Sequence, residues 1–301
     1  MRTPFKAASL LGLALAANPA SAFSIFACEP EWAGLAQQLA PQASVFSATH
    51  AYQDPHYIEA RPSLISKLRG ADLAICSGAE LEAGWLPALQ QRAANPKVQT
   101  GRPGLLFAAE QVETIDQTET GFFDTAHVHP EGNPHLHLDP ERLALVAQSL
   151  SQRLIDLDPE NAQTYQRAQS AWEESWQQNI ERWRTQAAPL KGERVLAQHT
   201  TFDYLWRSLG IEVIADLEPK PGVPPTTAHL ASLIDKVEEE APLAIVHAWY
   251  QAPQSAEWLG EKTATPVLSL PSTLTPEQQI ERPEQLFDHL ISALLELQGE
   301  R

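Results

Sequence analysis

Residues 159–187 read PENAQTYQRAQSAWEESWQQNIERWRTQA and contain no glycine and no proline after Pro159. Apolar side chains recur in this stretch at three- and four-residue steps, the spacing of one face of an α-helix. They are Tyr165, Ala168, Ala171, Trp172, Trp176, Ile180 and Trp183. Three tryptophans on one face could stack on a ligand, but the spacing favours a long helix that packs along its length on two domains. We therefore expect a connecting helix over residues 159–188.

Short apolar runs alternate with amphipathic runs on both sides of this helix. Strands separated by helices predict right-handed crossovers and parallel sheets. Before the helix the expected strands are Ser24–Cys28, Ala43–Ser47, Ala71–Cys76 and Val98–Thr100. After it they are Arg194–Gln198, Ile211–Ala215, Leu243–Trp249 and Pro266–Leu270. The predicted fold class is α/β, with two lobes at 23–158 and 189–301, each a parallel sheet flanked by helices.

The first 22 residues differ from the rest of the chain. Arg2 and Lys6 give a basic start, an apolar run from Ala8 to Ala17 follows, and small residues precede Phe23. This order is typical of a secretory signal peptide, and the run is too short to span a bilayer. We expect the remaining chain to be soluble and periplasmic.

Composition and charge exclude some classes of function. The chain has 301 residues, of which 43% are hydrophobic and 20% charged, as expected for a globular protein with two domains. Its formal net charge is -17 at pH 7, which repels nucleic acid and anionic membrane surfaces. Two cysteines, Cys28 and Cys76, each end a predicted strand. A disulfide and a pair of buried thiols are both compatible with that placement.

Several of the ten histidines lie at the C-terminal ends of predicted strands or in the loops that follow, the edge at which parallel sheets bind ligands. His56 follows the second strand, and His199 directly follows the strand Arg194–Gln198. His135 lies shortly before a helix for which Asp139 is the predicted N-cap. Imidazole nitrogen suits zinc, and a proline before His56 and before His135 restricts the backbone that positions each ring. Together these histidines predict a metal site, whereas each alone would fit an ordinary surface histidine.

Four motifs occur in a fixed order along the chain. They are Asp54-Pro55-His56-Tyr57-Ile58-Glu59, Ser77-Gly78-Ala79-Glu80-Leu81-Glu82, Asn133-Pro134-His135 through Leu138-Asp139-Pro140, and Ala197-Gln198-His199 with Phe202-Asp203-Tyr204-Leu205. This order resembles the zinc- and manganese-binding solute-binding proteins of metal ABC importers, the periplasmic receptors of the zinc-uptake type. The resemblance covers nearly all of the chain after residue 22.

The resemblance implies a receptor, not an enzyme, that captures zinc outside the cytoplasmic membrane and delivers it to a membrane permease. It implies His56 and His135 as ligands from the first lobe and His199 from the second. A third imidazole, where manganese-binding members commonly have a carboxylate, favours zinc, with manganese as the alternative metal. We expect the receptor to act as a monomer and not to bind nucleic acid.

The chain departs from the family pattern at the fourth ligand. The position where the family usually has a carboxylate aligns with Trp249, which cannot coordinate zinc. Water, His137, His129 or His247 could then complete the site, while the loop that carries His127 and His129 could either capture metal or be an ordinary polar loop. A three-histidine site with an activated water is also the arrangement of a zinc-dependent hydrolase or lyase, which is the alternative function.

Overall fold

The structure, a computed structural model, describes residues 22–116, 130–220 and 222–300. The strands of the first lobe are β1 (Ser24–Ala27), β2 (Ser44–Ser47), β3 (Leu73–Cys76) and β4 (Leu105–Phe107). Its helices are α1 (Pro30–Leu39), α2 (Pro62–Arg69), α3 (Leu86–Ala93) and α4 (Pro140–Leu157). The long helix α5 (Ala162–Gln186) follows a short 3-10 turn at Pro159–Asn161.

The second lobe repeats the alternation of strand and helix. Its strands are β5 (Arg194–Ala197), β6 (Glu212–Asp216), β7 (Ala244–Ala248) and β8 (Val267–Leu270). Its helices are α6 (Asp203–Leu209), α7 (Thr227–Glu240), α8 (Gln254–Thr263) and α9 (Pro283–Gly299). Short 3-10 turns at Leu136–Leu138 and Thr200–Phe202 lie beside the functional site described below.

Each lobe contains a four-stranded sheet in which all neighbouring strands are parallel. The strand orders are β2-β1-β3-β4 and β6-β5-β7-β8, so the two sheets have the same topology. Both β3 and β7 are buried along their whole length, as expected for central strands of a sheet covered on both faces. The predicted fold class is confirmed.

The fourth strand of the first sheet was expected at Val98–Thr100, and that expectation is wrong. The strand is β4, whose Leu105 and Leu106 lie opposite Ala74 and Ile75 of β3. Val98 is fully buried, but its carbonyl accepts a hydrogen bond at 2.7 Å from the side chain of Gln90 instead of a strand bond. Its apolar side chain packs in the core without belonging to the sheet.

The tryptophans of α5 pack in the protein core. Trp172 and Trp176 stack with ring centroids 4.9 Å apart, and Trp183 lies 4.8 Å from Phe287 of α9. The indole N–H of Trp176 donates to the carbonyl of Pro140 at 2.8 Å, and that of Trp183 donates to Asp288 at 2.6 Å. Helix α5 is thus bonded to an element of each lobe, which supports the packing interpretation over ligand stacking.

The sequence left open whether Cys28 and Cys76 are joined, and in the structure they form a disulfide. Strands β1 and β3 are neighbours, Cys28 directly follows β1 and Cys76 ends β3, so both cysteines lie at the same edge of the sheet. Residues 1–21 of the expected signal peptide lie outside the described residues. Among the residues that are described, no helix has both the length and the apolar character of a bilayer-spanning segment.

Replacing Trp176 should test whether α5 holds the two lobes together. This side chain is 1% exposed, and truncating a buried tryptophan costs about 3–5 kcal/mol. We expect Trp176→Ala to lower the free energy of unfolding by that amount in urea titrations, whereas Gln177→Ala, exposed on the same helix, should change it by less than about 0.5 kcal/mol. Similar losses in the two variants would contradict this packing.

Candidate metal centre

His56 lies in the loop between β2 and α2, which is held from two directions. Asp54 accepts hydrogen bonds from the backbone N–H of His56 at 3.0 Å and from its ring Nδ1 at 2.7 Å. The indole N–H of Trp85 donates to the carbonyl of Pro55 at 2.9 Å. With Nδ1 donating to the carboxylate, the lone pair of the imidazole is on Nε2, the nitrogen that remains for a metal.

His199 follows β5 and has an unusual backbone conformation. Its φ is 69° and its ψ is 161°, a region that residues other than glycine rarely adopt at a cost of about 1–3 kcal/mol. Asp216 stabilises the turn by accepting the backbone N–H at 3.0 Å, and Glu218 lies 3.0 Å from the ring Nδ1. Within the described residues, the buried Nε2 has no hydrogen-bond partner. A buried nitrogen of this kind fits a metal ligand.

His135 is positioned by a set of hydrogen bonds between the lobes. The side-chain oxygen of Asn133 accepts a hydrogen bond from the backbone N–H of His135 at 2.9 Å. The side-chain NH2 group of Asn133 donates to the carbonyl of Thr200 at 2.8 Å. The hydroxyl of Tyr204 in α6 donates to the carbonyl of Asn133 at 2.9 Å and accepts the backbone N–H of Ile115 at 3.1 Å. His135 is therefore fixed relative to the second lobe as well as to its own.

These three rings converge on one point between the lobes. The ring centroids of His56, His135 and His199 are 5.8 to 6.1 Å apart, and the ring planes cross at 71° to 87°. One ligand nitrogen from each lies within 4.8 Å of the others. Nitrogens bound to a tetrahedral zinc ion at about 2.0–2.1 Å are roughly 3.3 Å from one another. The three histidine nitrogens would therefore have to move only slightly closer together to bind zinc.

Residues 25–296 match the family described as zinc-uptake complex component A, periplasmic. The chain belongs to this family. A high-affinity zinc uptake system protein of Yersinia pestis is 25% identical over 203 residues, which cover 64% of this chain and 64% of that protein. A manganese ABC transporter substrate-binding lipoprotein of Streptococcus gordonii is 28% identical over 40% of this chain and 36% of its own length. The chain thus spans less than two thirds of the length of either relative.

A crystal structure of a member of this zinc-uptake family supports the same fold. It superposes with a TM-score of 0.74 at 19% sequence identity, over 91% of this chain and 99% of the other. The superposition covers both lobes and the connecting helix, since little of either chain lies outside it. At this identity the likeness concerns the fold and not the ligand of either protein.

Of the other predicted histidines, His137 and His247 are described by the structure and are not part of the group of three. His137 is buried beside His135, but its Nε2 lies 2.7 Å from the carbonyl of Ser272 and its Nδ1 3.2 Å from Glu31. His247 is buried with Nδ1 3.0 Å from the carbonyl of Ala248. His127 and His129 lie outside the described residues. In the described part of the chain, His137 and His247 therefore have protein contacts of their own.

Trp249 packs against the first lobe. Its ring stacks on Tyr52 with centroids 5.8 Å apart and an angle of 6° between the planes, and its indole N–H donates to the carbonyl of Ser269 at 3.2 Å. Tyr52 follows β2 and Trp249 follows β7, so the contact bridges the two sheet edges. The residue at the position of the expected fourth ligand has an aromatic contact instead.

Sequence reasoning missed the carboxylates that hold the rings. Asp54 precedes His56 by two residues, the spacing at which an Asp side chain bonds the backbone ahead of it. Glu218 follows β6, the neighbour of β5, and so lies at the same sheet edge as His199. Burial acts to lower the pKa of His199, but the hydrogen bond to Glu218 and the negative charges of Glu218, Asp216 and Asp54 outweigh it and raise the pKa.

Glu218→Gln should weaken zinc binding without unfolding the protein. The amide keeps the shape of the carboxylate but not its charge, and losing such a partner of a metal-bound imidazole typically costs 10- to 100-fold in affinity. Competition with a chelator measures the change. Glu212→Gln, exposed on β6, is the matched control and should leave the affinity unchanged. Parent-like affinity in Glu218→Gln would show that this carboxylate does not support the site.

Proposed function

We propose that this chain is a high-affinity zinc receptor that captures the metal outside the cytoplasmic membrane and delivers it to an ABC importer. The observation that carries the proposal is the convergence of His56, His135 and His199 from two lobes on one point. Membership of the zinc-uptake family supports the same function. A receptor must bind its metal and later release it, and a site divided between two lobes suits both steps.

We further propose these three imidazoles as the zinc ligands, with water in the fourth position. Within the described residues, the group that could hold an ion here contains only the three histidines. Three nitrogen donors without a carboxylate in direct contact favour zinc over manganese, whose sites are richer in oxygen ligands. The manganese transporter lipoprotein among the relatives keeps manganese as the alternative cargo.

Metal reaches this site through a pocket that opens to solvent. The pocket has a volume of about 390 Å³, and His56 and His199 form part of its wall. Asp54 and Glu218 also face it, so their negative charges attract a cation towards the rings. His56, with 10% of its side chain exposed, is the ligand nearest to solvent. We propose this side as the route of capture and release.

The same carboxylates weigh against the hydrolase or lyase alternative. A zinc hydrolase needs a general base that takes a proton from the metal-bound water. Asp54 and Glu218 each bond the Nδ1 of a histidine, so neither is directed at a water on the opposite side of the ring. The family is that of an uptake component, which also favours a receptor.

We also propose how the whole chain is organised and where it acts. Residues 1–22 act as a signal peptide, the lobes comprise 23–158 and 189–301, and the receptor works in the periplasm as a monomer. Its partner is the membrane permease of a metal ABC importer. The net charge of -17 supports the absence of nucleic-acid binding, because such a chain repels phosphate backbones.

Metal analysis of the exported protein tests the zinc site. We expect about one tightly held zinc per chain, and a loss of at least 100-fold in affinity in His56→Ala, His135→Ala and His199→Ala, since each removes a direct ligand. His289→Ala, an exposed histidine of α9, is the matched control and should bind as the parent does.

Two results would contradict the receptor. Undiminished zinc affinity in His199→Ala would mean that the ion is held elsewhere. Zinc-dependent turnover of simple esters by the parent, lost in the same variant, would support the hydrolase instead.

A further inference from the structure

Four buried residues join the two lobes beside the proposed zinc ligands. Glu31 of α1 and His137 belong to the first lobe and are only 3% and 4% exposed. Ser272 and Thr273 follow β8 of the second lobe and are buried as well. We call these four residues the interlobe cluster. All four, like His135, line a cavity of about 20 Å³, so the cluster lies next to a proposed ligand.

Two side chains of the first lobe contact two successive residues of the second. The ring of His137 donates through Nε2 to the carbonyl of Ser272 at 2.7 Å, and its Nδ1 lies 3.2 Å from a carboxylate oxygen of Glu31. The other carboxylate oxygen of Glu31 accepts a hydrogen bond from the hydroxyl of Thr273. Both ring nitrogens of His137 thus face protein oxygens, which leaves neither of them for a metal ion.

Polar contacts in this buried place favour one arrangement of the lobes. A buried polar group that loses its partner destabilises the protein, so movement of the second-lobe segment away from Glu31 and His137 is opposed. Apolar side chains would not restrict the arrangement as much, because hydrophobic contact has no preferred direction. The interlobe cluster therefore fixes the position of Ser272 and Thr273 relative to the first lobe.

His137 shares a short 3-10 turn with His135. The turn spans Leu136–Leu138, and His135 is the residue that precedes it. The carbonyl of His135 accepts a hydrogen bond from the backbone N–H of Leu138 at 3.1 Å, which closes the turn. Because only one residue separates the two histidines, a shift of His137 would move His135 as well.

Residues on both sides of His135 bond the backbone of the second lobe. Asn133, two residues before it, donates to the carbonyl of Thr200 at 2.8 Å. His137, two residues after it, donates to the carbonyl of Ser272. His135 therefore lies between two contacts with the second lobe, and the position of its ring relative to that lobe depends on both.

We propose that His137 is a positioning residue for zinc binding and not a fourth ligand. Together with Glu31 it holds the segment 272–273 against the turn, and so sets the distance between His135 and His199 before the ion arrives. This role rests on the zinc site of the proposed function. Ligands that are fixed in advance lose less conformational freedom when zinc binds, which favours tight binding.

Zinc affinity, the rate of zinc dissociation and the visible spectrum of the cobalt(II) form test this role in the full chain. His137→Leu replaces the ring by an apolar side chain of similar size and removes both of its polar contacts. We expect it to lower zinc affinity about tenfold, mainly through faster dissociation, as when a residue that orients a metal ligand is lost. The cobalt(II) spectrum should change as well, because it reports the geometry of the nitrogen ligands.

Two milder variants separate positioning from other roles. His137→Gln keeps a side-chain N–H that can donate to Ser272, so it should bind zinc more tightly than His137→Leu and retain the cobalt(II) spectrum of the parent. Thr273→Val removes only the hydroxyl that bonds Glu31 and should also speed zinc dissociation. If His137→Leu does not fold by circular dichroism, Thr273→Val decides the question, and parent-like dissociation in that variant would overturn the proposal.

Gln38→Ala is the matched control. It removes a different hydrogen bond between the lobes, which joins Gln38 of α1 to Glu284 of α9 at 3.1 Å, and should leave zinc affinity and the cobalt(II) spectrum unchanged. A merely structural role of His137 predicts a lower free energy of unfolding in His137→Leu with the zinc affinity and spectrum of the parent, and that result would overturn the proposal. Equal losses of affinity in His137→Leu and His137→Gln would indicate a ligand and overturn it too.

His135→Ala distinguishes this inference from the zinc site on which it rests. Loss of zinc in His135→Ala together with parent-like affinity in His137→Leu would overturn the positioning role and leave the receptor in place. Equal zinc binding by the parent and His135→Ala would overturn both.

Discussion

The carboxyl-terminal edges of the two sheets face each other across the cleft. The candidate site depends on the contacts that fix the position of one edge relative to the other. Helix α5 bonds to both lobes through the indoles of Trp176 and Trp183. Closer to the site, Asn133 and Tyr204 tie the edges together by direct hydrogen bonds. Because two of the three imidazoles come from one edge and the third from the other, these contacts set the distances among the rings before any metal arrives.

Charge balance at the site follows from the same geometry. Asp54 and Glu218 each bond the Nδ1 of one histidine, and Asp216 lies close to His199, so carboxylates surround the rings. Their negative charges would offset that of a divalent cation among the rings, which reduces the cost of burying it. The strained backbone of His199 is retained in the same place, where Asp216 and Glu218 stabilise the turn. Preorganised rings and matched charge both favour a tightly held ion.

Much of this could be predicted from the sequence, because hydrophobic periodicity reports burial and the ends of parallel strands report a shared edge. The long helix followed from the first signal, and His56 and His199 followed from the second. His135, which follows no predicted strand, was indicated instead by Pro134 before it, by the capped helix after it and by the order of the motifs. The position of β4 did not, since Val98 is buried like a strand residue but packs outside the sheet. The disulfide also stayed open, because the adjacency of β1 and β3 depends on the strand order. Glu218 was missed since a proline-rich loop gives no periodic signal.

The most direct test of the proposed zinc site is a crystal structure of the zinc-loaded protein with anomalous diffraction measured at the zinc edge. A three-histidine site should give one strong peak in the cleft, about 2.0–2.1 Å from a ring nitrogen of each of His56, His135 and His199. A peak elsewhere, with these three rings turned away from one another, would contradict it.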